Sequence, residues 1–390
     1  MKYVSEFRDP GLARRLVDRI RGTATRPWTL MEVCGGQTHS LLRHGIDGEL
    51  AGVVETIHGP GCPVCVTPVA AIDSACRLSE MPGVVVTTFG DMLRVPGSQG
   101  SLADRRAAGG AVRGVYGPMD AVEMARRRPD RQIVFFAVGF ETTAPVTALA
   151  VRRARQLGLR NFRLLVAHVT VLPAMQQLAA ANDSRIDGFL AAGHVCTVTG
   201  FGGYRSLVDR YRLPVVVTGF EPVDLLAGIA RCVEMLEAGR ADIVNAYGRA
   251  VREDGNEVAW DMVREVYETC DLRWRGIGPV PGGGLRLREA YRDWDAAHLL
   301  APGFDEASLP VVDTGVCRSG EVLSGKIRPT ECEAFGTACQ PATPLGAPMV
   351  SSEGACAAYF RYSHGPPDDP GRNGASTATA SHAFSRMADG

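Results

Sequence analysis

Cysteines dominate the chemistry that this sequence could perform. Two of them form the tight pair Cys62-Pro63-Val64-Cys65, and Cys34 follows a short apolar run near the start of the chain. Four more of the eleven cysteines stand among Gly and Pro in the last quarter of the 390 residues: Cys317, Cys332, Cys339 and Cys356. Thiols grouped in this way are typical of iron binding or of thiol–disulfide chemistry.

The spacing of the four C-terminal cysteines leaves two kinds of metal open. The intervals between them contain 14, 6 and 16 residues. A structural zinc site usually contains a pair of cysteines two to four residues apart, and this region has none. The ligands of an iron–sulfur cluster need not be close in sequence. The spacing therefore favours an iron–sulfur cluster, with zinc as the alternative.

The Cys62–Cys65 pair has the spacing used in thiol–disulfide exchange. A helix is predicted to begin close behind it, at Thr67-Pro68, and a helix N-terminus stabilises a thiolate. We interpret the pair as a redox dithiol, with a buried structural pair as the alternative. Cys34 is followed by Gly35-Gly36 and by His39, which favours a functional thiol over a small core residue.

The order of apolar and amphipathic segments predicts an α/β fold. Amphipathic stretches of helical spacing separate eight short apolar runs, at residues 29–33, 53–57, 84–88, 112–116, 133–138, 163–167, 188–192 and 214–218. This alternation is typical of parallel sheets. We predict two Rossmann-like parallel-sheet units and a third, mostly helical and loop-rich domain that carries the four C-terminal cysteines.

The boundaries of these domains are placed where the pattern changes. The first unit is predicted at residues 24–128 and the second at 129–220, with the boundary at Pro129-Asp130. The third domain is predicted at 221–362, packed with a helix in residues 1–23. Residues 363–390 are rich in Pro, Gly, Ser, Thr and Ala, and this composition predicts a disordered tail.

Ligands of such sheets bind beyond the carboxyl ends of the strands. The segments that carry Cys34, Cys62 and Asp91 follow the first three predicted strands, so they converge if these strands are neighbours. Past later strands stand three further candidates, Glu141, His168 and His194. Either histidine could instead be a satisfied hydrogen-bonding residue. The Glu141 segment could equally be a helix start, capped by Thr142 or Thr143.

Composition excludes several classes of function. The formal net charge of −1 gives no electrostatic reason to expect a nucleic-acid partner. No apolar run approaches the roughly 20 residues of a membrane helix, and the N-terminus lacks the apolar core of a secretory signal. We therefore expect a soluble cytoplasmic protein, in which cysteines stay reduced and their clusters indicate metal or redox chemistry.

Several motifs together resemble one known family. These are EVCGGQTH at Glu32–His39, HGPGCPVC at His58–Cys65, TTFGDMLRVP at Thr87–Pro96, GFETTAP at Gly139–Pro145, and the four spaced cysteines. In this order they resemble the HypD family of [NiFe]-hydrogenase maturation proteins, over about residues 5–362. The resemblance implies three α/β-type domains around a central cleft and a scaffold that works with the small chaperone HypC. On this scaffold an Fe(CN)2CO unit is assembled, with HypE as the cyanide donor.

The resemblance also implies roles for individual residues. Cys34 corresponds to the cysteine that holds iron, Cys62 and Cys65 to the redox dithiol, and Glu353 to an acidic residue near the cluster, while His39 belongs to the Cys34 motif. The implied ligands of a [4Fe–4S] cluster are Cys317, Cys332, Cys339 and Cys356. Two positions depart from the family pattern: Gln37 stands where many relatives have His, and Cys196 where many have Ser.

Two other functions stay open from the residues alone. One is a cluster-linked oxidoreductase whose dithiol, Cys62 and Cys65, reduces a disulfide in a partner protein. The other is a binding module in which zinc holds the last domain and the dithiol is structural. We expect the chain to be a monomer on its own, and whether each turnover counts as catalysis is left open.

Overall fold

The structure is a computed structural model, which describes residues 5–300 and 316–364. The tail predicted at residues 363–390 lies almost wholly outside the described residues. Within the described ranges, no helix has both the length and the apolar character needed to cross a lipid bilayer.

Parallel strands form the centre of the fold. The eight predicted runs are all strands, and three further strands follow them: β1 Trp28–Glu32, β2 Val54–His58, β3 Val84–Thr88, β4 Val112–Gly114, β5 Gln132–Gly139, β6 Phe162–His168, β7 Gly188–Ala192, β8 Val215–Thr218, β9 Ile243–Asn245, β10 Tyr267–Trp274 and β11 Gly278–Leu287. Side chains of β7 and β8 are buried throughout, as expected for strands covered on both faces.

The strands build two parallel sheets, which confirms the predicted α/β class. The first sheet has the order β2-β1-β7-β8-β9, and the second has the order β4-β3-β5-β6. The strands do not divide into consecutive groups of four. The boundary predicted at residues 128 and 129 falls inside the second sheet, because β3 pairs with β5 across it and neither β3 nor β4 pairs with β1 or β2.

Helices cover both sheets. They are α1 Pro10–Thr23, α2 Gly35–Arg43, α3 Ile46–Glu49, α4 Pro63–Val66, α5 Val69–Glu80, α6 Leu102–Ala107, α7 Pro118–Arg127, α8 Ala144–Gln156, α9 Val171–Ala179, α10 Gly193–Thr199, α11 Arg205–Tyr211, α12 Pro222–Glu237, α13 Glu257–Val266, α14 Ser319–Leu323, α15 Ala347–Val350 and α16 Ala355–His364. Short 3-10 helices occur at Ser5–Arg8, Gly90–Arg94, Gly202–Tyr204, Glu289–Trp294, Ala296–Leu299 and Pro329–Glu331.

The helix α12 belongs to the first sheet rather than to a separate unit. Its buried residues Leu225 and Ile229 share one core with Val17 and Ile20 of α1 and with Leu30 of β1. The N-terminal helix therefore packs on α12, as predicted, but both cover the first sheet, which β9 then extends. The third domain is predicted to begin at residue 221, whereas the helix that begins at Pro222 packs on the first sheet.

The region after β9 contributes an antiparallel hairpin and a loop-rich segment. Strands β10 and β11 pair with each other, and the hairpin meets the second sheet through a bridge between Val169 and Gly284. Short helices separate the four C-terminal cysteines, of which Cys332, Cys339 and Cys356 pack in a small apolar cluster with Met349. Whether this segment is a domain of its own stays a prediction.

Candidate functional site

Two cysteine loops lie side by side at the carboxyl edge of the first sheet. Strands β1 and β2 are neighbours in a register that pairs Glu32 with His58. Cys34 is the N-cap of α2, and the amide of Gly35 donates a 3.2 Å hydrogen bond to the carbonyl of Gly61. The expected convergence of the Cys34 and Cys62 segments is therefore present, because parallel neighbours bring the loops after them to the same edge.

The contact between the loops depends on a glycine. A Cβ at Gly61 would lie 2.3 Å from the backbone nitrogen of Cys34 and 2.4 Å from the carbonyl carbon of Val33. No side chain fits there without displacement of backbone. The Gly-Pro-Gly sequence thus has a steric role, since it brings the Cys62–Cys65 segment directly against Cys34.

Cys62 and Cys65 are joined by a disulfide. Cys62 is the N-cap of α4, and its sulfur accepts a 3.1 Å hydrogen bond from the amide of Cys65. Both side chains are buried, with 3% and 0% of their surface exposed. A large partner therefore has little direct access to the pair.

The Cys34 thiol is free and partly buried. Burial raises its pKa to about 12, and the amides of Gly36 and Gln37 act in the opposite direction by hydrogen bonding. The charges of Glu32 and Glu353 raise the pKa further. A thiol held in this state binds a metal only after it loses its proton, so a bound cation would itself provide the compensating charge.

Glu32 is a buried carboxylate at the centre of the edge. Its Oε2 accepts a 2.9 Å hydrogen bond from the amide of Cys34, and its Oε1 accepts one from the hydroxyl of Thr38. The same Oε1 lies 2.7 Å from Nδ1 of His58. A carboxylate can only accept, so this nitrogen carries the proton, and Nε2 of His58 accepts from the hydroxyl of Tyr359 at 2.9 Å.

The C-terminal helix α16 meets this edge with two tyrosines one turn apart. Tyr359 bonds to His58, and the hydroxyl of Tyr362 lies 3.4 Å from Nδ1 of His39. The other ring nitrogen of His39, Nε2, is buried and has no protein partner among the described residues. Desolvation lowers the pKa of His39, with a further contribution from the charge of Arg361, so its ring is neutral near pH 7.

Glu353, which the resemblance implies lies near the cluster, packs against the Cys34 loop. A Cβ on Gly35 would be 2.1 Å from the carbonyl oxygen of Glu353, so the two backbones are in close contact. The side chain keeps an exposed face, although desolvation and the charge of Asp91 raise its pKa. Asp91 also accepts a 3.1 Å hydrogen bond from the hydroxyl of Ser352, so the third predicted loop reaches this segment from the second sheet.

The four C-terminal thiols lie near one another. Desolvation raises the pKa of Cys356, and the charges of Cys317, Cys339 and Cys332 raise it further. The amide of Leu345 donates a 3.4 Å hydrogen bond to the sulfur of Cys339. Within residues 5–300 and 316–364, no three His, Cys, Asp or Glu side chains already converge on a point where one metal ion could bind.

The other candidates fall outside this arrangement or at its margin. His168 is fully buried in the second sheet, where Nδ1 donates to the carbonyl of Gly139 and Nε2 lies 2.8 Å from Thr147. His194 is exposed and stacks on Phe220, whose ring lies against Gly36. His194 is therefore close to the Cys34 loop, and His168 is a satisfied structural residue.

Three further positions have clear structural contacts. The amide nitrogen of Gln37 donates to the carbonyl of Ala191 and to the hydroxyl of Thr218, so it joins α2 to the sheet. The thiol of Cys196 is buried and donates to the hydroxyl of Tyr204. Glu141 is buried, and one of its oxygens accepts from the amide of Val171.

The start of α8 confirms one prediction and corrects another. The helix begins where the Glu141 segment predicts, with Thr143 as N-cap and Pro in the first turn. The Thr143 side chain makes no capping bond, however, and its hydroxyl donates to the carbonyl of Phe140 instead.

Sequence reasoning missed Glu32 and Tyr359 as individual site residues. A glutamate at the end of an otherwise apolar strand was a usable signal, because a buried carboxylate needs several hydrogen-bond partners. Tyr359 gave no comparable signal, since tyrosines are common in amphipathic helices.

Comparison with known proteins shows the family of this chain. A family model named HypD and described as "Hydrogenase formation hypA family" matches residues 11–363. The hydrogenase maturation factor HypD of Rhodobacter capsulatus is 46% identical over 370 residues, which cover 93% of this chain and 98% of the relative. The factor of the same name from Escherichia coli K12 is 43% identical over 370 residues, with coverage of 93% and 98%. By this sequence match over nearly its whole length, the chain belongs to the HypD family of hydrogenase maturation factors.

Proposed function

We propose that this protein is the scaffold on which an Fe(CN)2CO unit is assembled, with HypC as partner chaperone and HypE as cyanide donor. One observation carries the proposal: a free thiol, Cys34, lies directly against the loop of the Cys62–Cys65 disulfide. The segment that carries Glu353, between the third and fourth of the C-terminal cysteines, packs on the Cys34 loop. The residues proposed to anchor iron, to supply two electrons and to carry the cluster are therefore neighbours in this proposal.

Cys34 is the proposed anchor for the iron that is the cargo of the reaction. Low-spin iron with cyanide and CO is a compact, soft centre, which thiolate binds readily. The glycines after Cys34 let Glu353 and the Phe220 ring pack directly on the loop, so these two residues and His39 would surround a cargo held by the Cys34 sulfur. The buried ring nitrogen of His39 that lacks a protein partner is available as a hydrogen-bond donor or acceptor to such a cargo.

The Cys62–Cys65 pair is the proposed source of electrons for cyanide transfer. Release of cyanide from a carrier thiocyanate requires two electrons. As the S–CN bond breaks, the two thiols form their disulfide, cyanide binds the iron, one thiol proton goes to the carrier sulfur and the other is released. The disulfide between Cys62 and Cys65 is the oxidised product of this step.

The C-terminal residues fit a [4Fe–4S] cluster, for which Cys317, Cys332, Cys339 and Cys356 are the proposed ligands. A Cβ on Gly346 would lie 2.3 Å from the sulfur of Cys317, so the glycine keeps space beside that thiol, and the amide of Leu345 supports the sulfur of Cys339. When bound, such a cluster supplies electrons one at a time. Its presence is tested by anaerobic purification, where about four irons per chain are expected for this cluster type, and a colourless protein with one zinc would contradict it.

Infrared spectroscopy of the complex with HypC tests the scaffold directly. The wild-type complex is expected to show cyanide and CO stretching bands. The variant Cys34→Ala should lose the bands and keep the C-terminal iron, whereas Cys62→Ala should keep some iron without accumulation of the dicyano product. The matched control is Cys76→Ala, a buried cysteine on α5 of the second sheet, which should retain normal bands. Normal bands in Cys34→Ala would overturn the anchoring role.

The alternative, an oxidoreductase that reduces a partner disulfide, is less well supported. Both sulfurs of the Cys62–Cys65 pair are buried, and a protein disulfide has to reach one of them for exchange. We further propose that the protein works in the cytoplasm, where its other thiols stay reduced, as a monomer when alone, and without nucleic acid or membrane.

A further inference from the structure

A continuous line of hydrogen bonds joins the C-terminal helix to the Cys34 loop. The hydroxyl of Tyr359 donates to Nε2 of His58 at 2.9 Å, and Nδ1 of His58 donates to Glu32 at 2.7 Å. The other oxygen of Glu32 accepts the amide of Cys34 at 2.9 Å. Three side chains thus connect α16, near the end of the described chain, with the proposed iron anchor near its start.

The three side chains hold one another in place, because the polar atoms that link them are already hydrogen-bonded. Both ring nitrogens of His58 are engaged, and both oxygens of Glu32 accept hydrogen bonds. All three side chains are buried, with exposures of 1% for Glu32, 3% for His58 and 6% for Tyr359. A displaced member would leave a buried polar group unpaired, which is costly.

The helical end of the line is tied to a clustered thiol. Cys356 stands in the first turn of α16, and Tyr359 follows it by three residues, so both lie on the same side of the helix. Cys356 also packs in the small apolar cluster with Cys332 and Cys339. A restraint on Cys356 would therefore also restrain the turn of α16 that carries Tyr359.

We propose that Tyr359, His58 and Glu32 are positioning residues that make the Cys34 loop respond to metal loading at Cys356. The proposal rests on the proposed function, in which Cys356 binds a cluster and Cys34 holds iron. A metal held by Cys356 would restrain α16 and so keep these hydrogen bonds, all of which are formed in the structure, from opening. Without that restraint the bonds between Tyr359, His58 and Glu32 would open more often, and the Cys34 loop with them.

The reactivity of the Cys34 thiol reports this coupling independently of maturation. Full-length protein is purified anaerobically, its iron content is measured, and one half is stripped with a chelator. Both halves are treated with iodoacetamide, and the rate of alkylation at Cys34 is followed by mass spectrometry of its peptide. In the wild type we expect the stripped protein to react about tenfold faster than the loaded protein, as one lost buried hydrogen bond would give.

Variants distinguish an effect of this hydrogen-bond line from a general loosening of the protein. Tyr359→Phe should keep its iron but raise the loaded rate to within about twofold of the stripped rate, because one buried hydrogen bond is removed. The matched control is Tyr267→Phe, which removes another buried tyrosine hydroxyl, bonded to Thr147 in the second sheet. It should keep the wild-type ratio. His58→Gln is the second test, since a glutamine amide reproduces the position of only one of the two ring nitrogens that bond to Glu32 and Tyr359, and it should behave as Tyr359→Phe does.

The outcomes distinguish the inference from the proposed function. Wild-type protein without iron would refute the cluster, and this proposal with it. Iron-loaded wild type whose alkylation rate does not change on stripping would refute the coupling alone. An unchanged rate ratio in both Tyr359→Phe and His58→Gln would show that loading acts on Cys34 by another route, such as the backbone contact between Gly35 and Glu353.

Discussion

The two parallel sheets have the same architecture and use their carboxyl edges differently. At the edge of the first sheet, a free thiol and a disulfide lie in adjacent loops, and the buried His58 passes a hydrogen bond onward to α16. At the edge of the second, the buried His168 bonds to Gly139 and Thr147 within its own layer. The β10–β11 hairpin meets this edge, and Tyr267 bonds to the same Thr147.

The difference shows that the residue type does not decide the role. His58 and His168 are each the last residue of a parallel strand, both are buried, and both have two partners. One connects the sheet to a distant segment of the chain, and the other closes a local network. Function in such folds therefore depends on what packs across the edge of a sheet rather than on the sheet itself.

The largest expected loss of stability comes from adding a side chain at Gly61, where the two cysteine loops of the first sheet meet. Gly61→Ala should lower the free energy of unfolding by about 3 kcal/mol or more, because its Cβ meets backbone atoms that cannot move independently. In the second sheet, the Cβ of Gly139→Ala meets chiefly the Thr143 side chain, so a smaller loss of about 1–2 kcal/mol is expected. Denaturant unfolding followed by circular dichroism measures both.

The control for this pair is Gly48→Ala in α3, where nothing lies within 4 Å of the new Cβ. It should leave stability unchanged or raise it by up to about 1 kcal/mol, since glycine is a poor helix former. Equal midpoints for Gly61→Ala and Gly48→Ala would show that the two cysteine loops are not held as tightly as described.

The second prediction concerns the pH dependence contributed by Glu141 at the edge of the second sheet. Burial raises the pKa of this carboxyl from 4.5 to about 7. Between these pH values the folded state binds the proton and the unfolded state does not, so stability falls as pH rises from 4.5 through 7. The total is up to about 3 kcal/mol.

Glu141→Gln should remove this dependence, because the amide does not titrate and its oxygen still accepts the amide of Val171. The variant should gain stability over the wild type at pH 8 and differ little from it at pH 4.5. Parallel slopes for the two proteins between these pH values would contradict the raised pKa.

A smaller effect is expected from the structural histidine. His168→Gln should cost about 1–3 kcal/mol of stability, because buried partners at Gly139 and Thr147 lose part of their bonding. It should retain bound iron and the infrared bands of the HypC complex. Loss of the bands at normal stability would indicate a direct role of His168 in the site, which its position at the end of a strand had left open.

The smallest effect is expected at Cys196, in the core beneath the first sheet. Cys196→Ser should change stability by about 1 kcal/mol or less, since a hydroxyl can also donate to Tyr204. Bound iron and infrared bands should be unchanged. A loss of iron would show that this thiol is more than a core residue.

The sequence predicted which segments form strands better than it predicted which strands lie side by side. All eight apolar runs are strands, because burial on both faces leaves a continuous apolar pattern. The pairing of β1 with β7 was not predictable, since an apolar strand carries no record of which strand lies beside it. The predicted domain boundaries assumed that strands close in sequence share a sheet, and the observed strand order does not follow that assumption.

The contacts of the candidate site were likewise predictable only in part. Adjacent β1 and β2 loops brought Cys34 and Cys62 together as expected, whereas the Asp91 loop belongs to the other sheet and contacts the segment at Ser352 instead. The hydrogen bond from Tyr359 to His58 spans some three hundred positions of the chain, and no local pattern records such a contact.

The path of the chain between the sheets has a consequence for its synthesis. The first sheet is left after His58 and resumed only at Gly188, whereas the four strands of the second sheet follow one another without interruption. On the ribosome, β1 and β2 emerge long before β7, so the apolar edge of β1 must wait uncovered while the second sheet can already form. The cysteine edge is completed last of all, when α16 emerges, and an unfinished chain therefore cannot present an assembled site to a partner.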